Sequence, residues 1–223
     1  MNEKGHAYTE ISFLLTVNWE EAFMKKLILV TSPPACGKTY VSKQLAKALK
    51  HVVYLDKDTL ICLSKQIFKV AGESYNRSSD FFVENIRDYE YEAIVALALE
   101  ALDYADIVLI NAPFTREIRN IGYIRELKHR LYSKNASLAV IWVETSVEVC
   151  RQRMLSRNSD RDIWKLANWE EYIAGCNFDI PIALDDPDIN DDLIIFKNSD
   201  DEEFHESLKR TVEALEAEIS LKA

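Results

Sequence analysis

The sequence predicts an α/β domain in which short buried strands alternate with helices. Three observations carry that expectation. The apolar run Leu27 to Val30, short and rich in branched residues, leads through a loop ending in Gly37-Lys38-Thr39 into a helical pattern from Thr39 to Lys50, with Val41, Leu45 and Leu49 on one face. Four further apolar runs of strand length recur down the chain, separated by helical or polar stretches. The 223 residues, 48% of them hydrophobic, suffice for one substantial core.

The exit of the first strand has the parts of a phosphate-binding loop (P-loop). Such a loop needs inward-facing backbone N–H groups, a Lys reaching β/γ-phosphates, a hydroxyl for Mg²⁺ and a helix N-terminus behind. Ser32, Pro33, Pro34, Ala35, Cys36, Gly37, Lys38, Thr39 and Tyr40 are therefore the candidate nucleotide-binding residues, with Thr39 as the metal-side hydroxyl. The glycine pattern is incomplete. G-x-x-x-x-G-K-[ST] puts glycine at Ser32, and the G-P-P-G-S-G-K-[ST] variant puts another at Ala35. If either position needs positive φ, its Cβ costs ~1–2 kcal/mol. A coincidental βα turn is the competing reading. Cys36, next to a helix N-terminus, is expected to have a lowered thiol pKa.

Residues 1–23 precede Met24-Lys25-Lys26-Leu27, which looks like a natural opening, so they read as an N-terminal extension. Ile11 to Val17 suits an edge strand and Trp19 to Phe23 a helical turn; a flexible tail serves equally well. Val52 to Leu55 is the second strand, ending in Asp56-Lys57-Asp58. Two carboxylates then stand where open α/β sheets place ligands, although a solvated acidic turn or helix cap needs the same residues. Residues 59–104 are helical with a polar break from Gly72 to Ser79, too long for a plain crossover, and read as a helical insertion over the acceptor side. Arg77 and Arg87 within it, and Arg116 after the third strand, are candidates to hold an acidic acceptor, the alternative being solvated arginines.

Asp106 to Asn111 is the third strand, broken by Pro113, with helix expected from Arg116 to Tyr132. Leu138 to Val143 is the fourth, and Val147 to Leu155 opens its helix. That helix leads into Arg153, Arg157 and Arg161, whose spacing of four aligns them on one face if helix persists. A charge-balanced surface helix is the alternative. Residues 151–180 thus read as an arginine-rich lid, with Trp164, Trp169, Tyr172 and Phe178 either closing over the site or packing locally. Asp185 to Asp192 is an acidic loop without the Gly and Glu spacing of a calcium site. Leu193 to Phe196 is the fifth strand, and Phe204, Leu208, Leu215 and Ile219 mark a last helix.

A formal charge of −10 and a pI near 5.0 argue against a general nucleic-acid surface. The cysteines at 36, 62, 150 and 176 form no C-x-x-C pair, which suggests reduced cytosolic thiols rather than zinc or a redox motif. No window approaches 18 apolar residues and no basic signal flank opens the chain, so a cytoplasmic protein without a membrane segment is expected, as monomer or homodimer.

The P-loop, the acids after strand two and the arginine stretch after strand four resemble the P-loop kinases over residues 24–200. Within them the chain is similar to AAA-like ATP-binding, polynucleotide-kinase and zeta-toxin type proteins, and more distantly to shikimate and adenylate kinases. The resemblance implies a parallel sheet in the order 2-3-1-4-5 and a single kinase-like domain over 24–223. It implies ATP and Mg²⁺, Asp58 as the base toward the acceptor hydroxyl with Asp56 beside it, and Arg153, Arg157 and Arg161 over the phosphates. Asn198 and Ser199 border the adenine on the same grounds. Adenylate-kinase-like relatives carry an acid where Ile110-Asn111-Ala112-Pro113-Phe114 stands, so Asn111 takes its metal-side place without a charge. The expected activity is transfer of the ATP γ-phosphoryl to a hydroxyl of a small molecule or nucleotide. The alternative is a slow ATPase or nucleotide-binding switch acting through a partner.

Overall fold

The computed structural model describes residues 25–159, 162–180 and 193–220. The N-terminal extension, Arg161 and the acidic loop of 185–192 lie outside the described residues. Five strands form one sheet: β1 (Lys25–Thr31), β2 (Val52–Asp56), β3 (Ile107–Asn111), β4 (Ala136–Glu144) and β5 (Leu193–Lys197), in the order β2-β3-β1-β4-β5. Every pairing is parallel. This is the expected topology, with strand ends within one or two residues of the apolar runs.

A central parallel strand is covered on both faces and so reads as an unbroken apolar run. Along β1, alternate side chains enter opposite layers. Leu27 and Leu29 pack with Val108, Ile110, Leu138 and Val140 under α3 (Asp88–Ala101) and α4 (Ile121–Tyr132). Ile28 and Val30 pack with Leu109, Ile141 and Val143 under α1 (Lys38–Ala48), α5 (Val147–Arg157) and α8 (Asp201–Ser220).

Register decides which polar groups meet at the carboxyl edge. Asp56 stands opposite Asn111, and Asn111 opposite Val30, so the ends of β2 and β3 deliver an acid and an amide beside the loop leaving β1. On the other flank Glu144 stands opposite Lys197.

Residues 59–104 contain the expected helical pair. A 3₁₀ turn (Lys57–Leu60) leads into α2 (Ile61–Ala71), ended by Gly72 at φ 75°. A turn at Asp80–Phe82, capped by the Ser79 hydroxyl, runs through a π-turn (Val83–Arg87) into α3. Phe68, Phe82 and Ile86 form a small core of their own beneath this layer.

Two helices differ from expectation. Where helix was expected from Arg116, a 3₁₀ turn (Glu117–Arg119) precedes α4, because Asn120 leaves helical geometry and its side chain accepts from Tyr123 N–H as a fresh N-cap. Helix α5 stops at Arg157, since Asn158 adopts the left-handed conformation at φ 43°. The four-residue arginine spacing is therefore not carried on one helix beyond Arg157. Two short helices follow, α6 (Ile163–Ala167) and α7 (Trp169–Ala174).

Candidate active site

The P-loop begins at Ser32, whose buried hydroxyl donates to the Pro33 carbonyl at 2.8 Å. Ser32 has no positive φ, so its Cβ costs nothing there, whereas Ala35 sits at φ 66°. The missing glycine is felt at the second position only. Gly37 is at φ 85°, and a Cβ on it would lie 2.5 Å from Asn198 Nδ2 and 3.3 Å from Arg153 Nη1. Conformation and space both demand glycine.

That crowding has a cause. The Cys36 carbonyl accepts from Asn198 Nδ2 at 2.7 Å, Thr145 Oγ1 at 2.9 Å and Arg153 Nη1 at 3.2 Å. A trans peptide places its N–H opposite its C=O. Anchoring this carbonyl turns the Gly37 N–H away from the cluster, the orientation a phosphate cradle needs. Behind it, α1 starts with no side-chain cap and no acidic residue in its first turn, leaving its N-terminal N–H groups for an anion.

Lys38 extends to the β3 edge, where Nζ donates to Asn111 Oδ1 at 2.7 Å. Ser42 Oγ donates to the same oxygen at 3.3 Å, while Asn111 Nδ2 faces Asp56 Oδ2 at 2.9 Å and Thr39 Oγ1 at 3.3 Å. Asn111 thus joins the P-loop lysine, the hydroxyl proposed for the metal and the first acid. Burial lowers the Lys38 pKa, against the opposing pull of the Asp58 and Asp56 carboxylates.

The two acids differ in occupation. Asp56 accepts from the Asp58 N–H and the Tyr54 hydroxyl, each at 3.0 Å, as well as from Asn111. Burial, then the charge of Asp56, pushes the Tyr54 phenol up, so it remains a donor. Asp58 is exposed and its carboxylate makes no hydrogen bond or ion pair with the described residues. Lys57 between them points inward, fully buried on Glu90 at 2.7 Å. Arg77 clasps the same carboxylate with two bonds of 2.7 Å, and Ser64 Oγ adds a third kind of donor. Burial opposes ionisation of Glu90, but these donors together hold its pKa at about 2.

Of the arginines, Arg87 is spent on Asp88 and Glu117, each at 2.7 Å, and lies 4.4 Å over the Tyr91 ring. Arg116 is exposed and unpaired among the described residues. Arg153 adds a bond of 2.7 Å to the Asn198 carbonyl, and Arg157 is paired with the buried Asp162. Ser199 Oγ accepts from Ser146 N–H at 3.2 Å, beside Asn198 in the turn after β5. A cavity of about 310 Å³ opens between the loop and the ends of β4 and β5, bordered by Pro33, Cys36, Thr145, Ser199 and Phe178. Tyr40 is exposed and tilts against Phe204 at 5.1 Å.

The expected lowering of the Cys36 thiol is overturned. A hydrogen bond to Cys150, with burial behind it, raises that pKa. Sequence reasoning also missed Lys57, Glu90, Thr145 and Cys150. A lysine between two acids carried a faint signal; the other three have meaning only through the fold.

Residues 27–177 match the family model described as an AAA domain, and the chain belongs to that family. Its fold is that of the P-loop kinases. A candidate kinase from Chloroflexus aurantiacus superposes with a TM-score of 0.54 at 18% identity, over 87% of this chain and 97% of that one. A sugar kinase from Janibacter sp. gives 0.53 at 12% identity, over 89% and 98%. At such identities the likeness is one of fold. No curated protein matches the sequence. Among the described residues no helix is long and apolar enough to cross a membrane.

Proposed function

We propose that the chain is a Mg²⁺-dependent phosphotransferase that moves the ATP γ-phosphoryl to a hydroxyl of a small molecule or nucleotide. The observation that carries this reading is the meeting of Lys38, Asn111 and Asp56 at one edge, with an unpaired Asp58 beside them. The residues fit the nucleotide: an uncapped helix N-terminus, a loop carbonyl held back from the rear, and a half-buried ammonium touching an amide rather than a carboxylate. Bound MgATP would supply the phosphoryl group and neutralise charge on it.

The chain's own residues supply position and electrostatics, the main terms in phosphoryl transfer. Loop amides and Lys38 hold the β/γ-phosphates, and Thr39 stands on the metal side. Asn111 cannot charge that side, so Asp56, 2.9 Å from its amide, brings the carboxylate there. Asp58 accepts the acceptor's proton. Arg116 faces the acceptor, and the turn at Asn198 and Ser199 borders the base. Arg153 acts from behind the loop.

Asp58→Asn is expected to leave ATP affinity within a few-fold and cut transfer by roughly 10²–10⁴, the contribution of a positioned base. Lys38→Ala damages both. The measurement is Mg²⁺-dependent phosphoryl transfer across a metabolite and nucleotide panel, alongside ATP titration. Full transfer by Asp58→Asn would discard this base. Asn111 in place of an acid, and the strained Ala35, favour a second reading, a slow ATPase or nucleotide switch. Hydrolysis lost in Lys38→Ala but untouched by either acid would select it.

A further inference from the structure

Two of the four cysteines, far apart in sequence, meet in the core. Cys36 Sγ, in the P-loop, lies 3.6 Å from Cys150 Sγ, in the first turn of α5. Both are buried, at 1% and 0% exposure, yet Cys36 also borders the cavity at the ends of β4 and β5, together with Ser146 and Val147. Cys62 is exposed and Cys176 half-buried.

We propose that Cys36 and Cys150 form a modification site: a reversible intramolecular disulfide, made by hydrogen peroxide, that fastens the P-loop to α5 and shuts off nucleotide binding. The effect on binding rests on the reading of the loop given above; the bond itself does not. The hydrogen bond between the two thiols pushes the Cys36 pKa up and eases Cys150 toward thiolate. The Cys150 sulfur attacks one peroxide oxygen, the O–O bond breaks, and a sulfenic acid and hydroxide form. The Cys36 sulfur then displaces the sulfenic oxygen as water and loses its proton. In total two thiols and one peroxide give one disulfide and two waters, the thiols losing two electrons and the peroxide gaining them.

An S–S bond is about 2.05 Å long, so the sulfurs must draw together by more than an ångström. The loop has little freedom to follow. The Cys36 carbonyl is fixed by three donors, and Gly37 is already pressed against Asn198. Movement of the Cys36 side chain is therefore passed to the peptide whose N–H faces the phosphates.

The test uses the full chain, reduced and then treated with hydrogen peroxide, alkylated and mapped by mass spectrometry. A linked peptide joining Cys36 and Cys150, two hydrogens lighter than the pair, is expected. Mg-ADP affinity should fall by about tenfold or more and return with dithiothreitol. Cys150→Ala should bind Mg-ADP like the reduced chain and keep that affinity in peroxide; the mapping needs no variant, should this one fold poorly. Absence of the linked peptide while Cys62 is oxidised would overturn the proposal, as would linkage with unchanged affinity. Equal loss of affinity in peroxide-treated Cys150→Ala would overturn the switching. A reduced chain that binds no Mg-ADP would refute both the nucleotide reading and the switching, while the linked peptide would still decide the bond.

Discussion

The two sides of the candidate site are held together by different chemistry. Toward β2 and β3 the support is ionic and enclosed: Lys57 and Arg77 converge on Glu90, itself 4% exposed, under the turn that presents Asp58. Toward β4 and β5 the support is a single carbonyl, that of Cys36, held by an amide, a hydroxyl and one guanidinium. A buried ion cluster fails badly when one member is removed, because the remaining charges have no water to turn to. A carbonyl with three donors loses one and keeps two. The β2–β3 flank is therefore where the fold is vulnerable, and the β4–β5 flank is where the site can be adjusted without unfolding the chain.

Glu90→Gln is the severest test of that contrast. It leaves Lys57 buried without a counter-charge, and a loss of about 3–5 kcal/mol in denaturant unfolding is expected. The same group sets an acid limit. A folded pKa of about 2 lies below the ordinary 4.5, so its stabilisation is present above pH 4.5 and drains away as pH falls toward 2. Unfolding curves across that window should show a steeper decline in the wild type than in Glu90→Gln.

Asn198→Ala sharpens the other side. Removing one of three donors to the Cys36 carbonyl is expected to cost about 1–2 kcal/mol in thermal unfolding and about tenfold in Mg-ADP affinity. A stability loss as large as that of Glu90→Gln would erase the distinction between the flanks.

The smallest effect has the opposite sign. Ala35→Gly relieves a left-handed alanine worth ~1–2 kcal/mol and adds chain entropy worth ~0.5–1 kcal/mol, for a net gain of about 0.5–1 kcal/mol. Chemical denaturation measures it, and a loss would mean that the Ala35 Cβ, packed at the edge of the core, contributes more than its backbone strain removes.

The strands were legible because a doubly covered strand writes itself as an apolar run, and the P-loop because Gly37-Lys38-Thr39 followed one. The acids at 56 and 58 were legible as a pair, but not their division of labour, which depends on Tyr54 and Asn111 reaching one of them and not the other. The end of α5 was not: Asn158 is an unremarkable residue until it turns left-handed. Glu90 read as one more helical glutamate because its partners arrive from elsewhere in the chain. Arg77 came to notice as an arginine for an acidic acceptor, and its guanidinium is found clasping that glutamate.

The bond from Asn198 to Cys36 spans 162 positions. The loop that follows the first strand is thus shaped by the turn that follows the last. Contacts of such separation form late, after loop closure has been overcome. A growing polypeptide on the ribosome would lay down the glycine, lysine and threonine early, yet hold no finished cradle until β5 had emerged and docked. The loop then takes its final shape only once β5 has docked, so a chain cut short before Asn198 would carry the motif without this support.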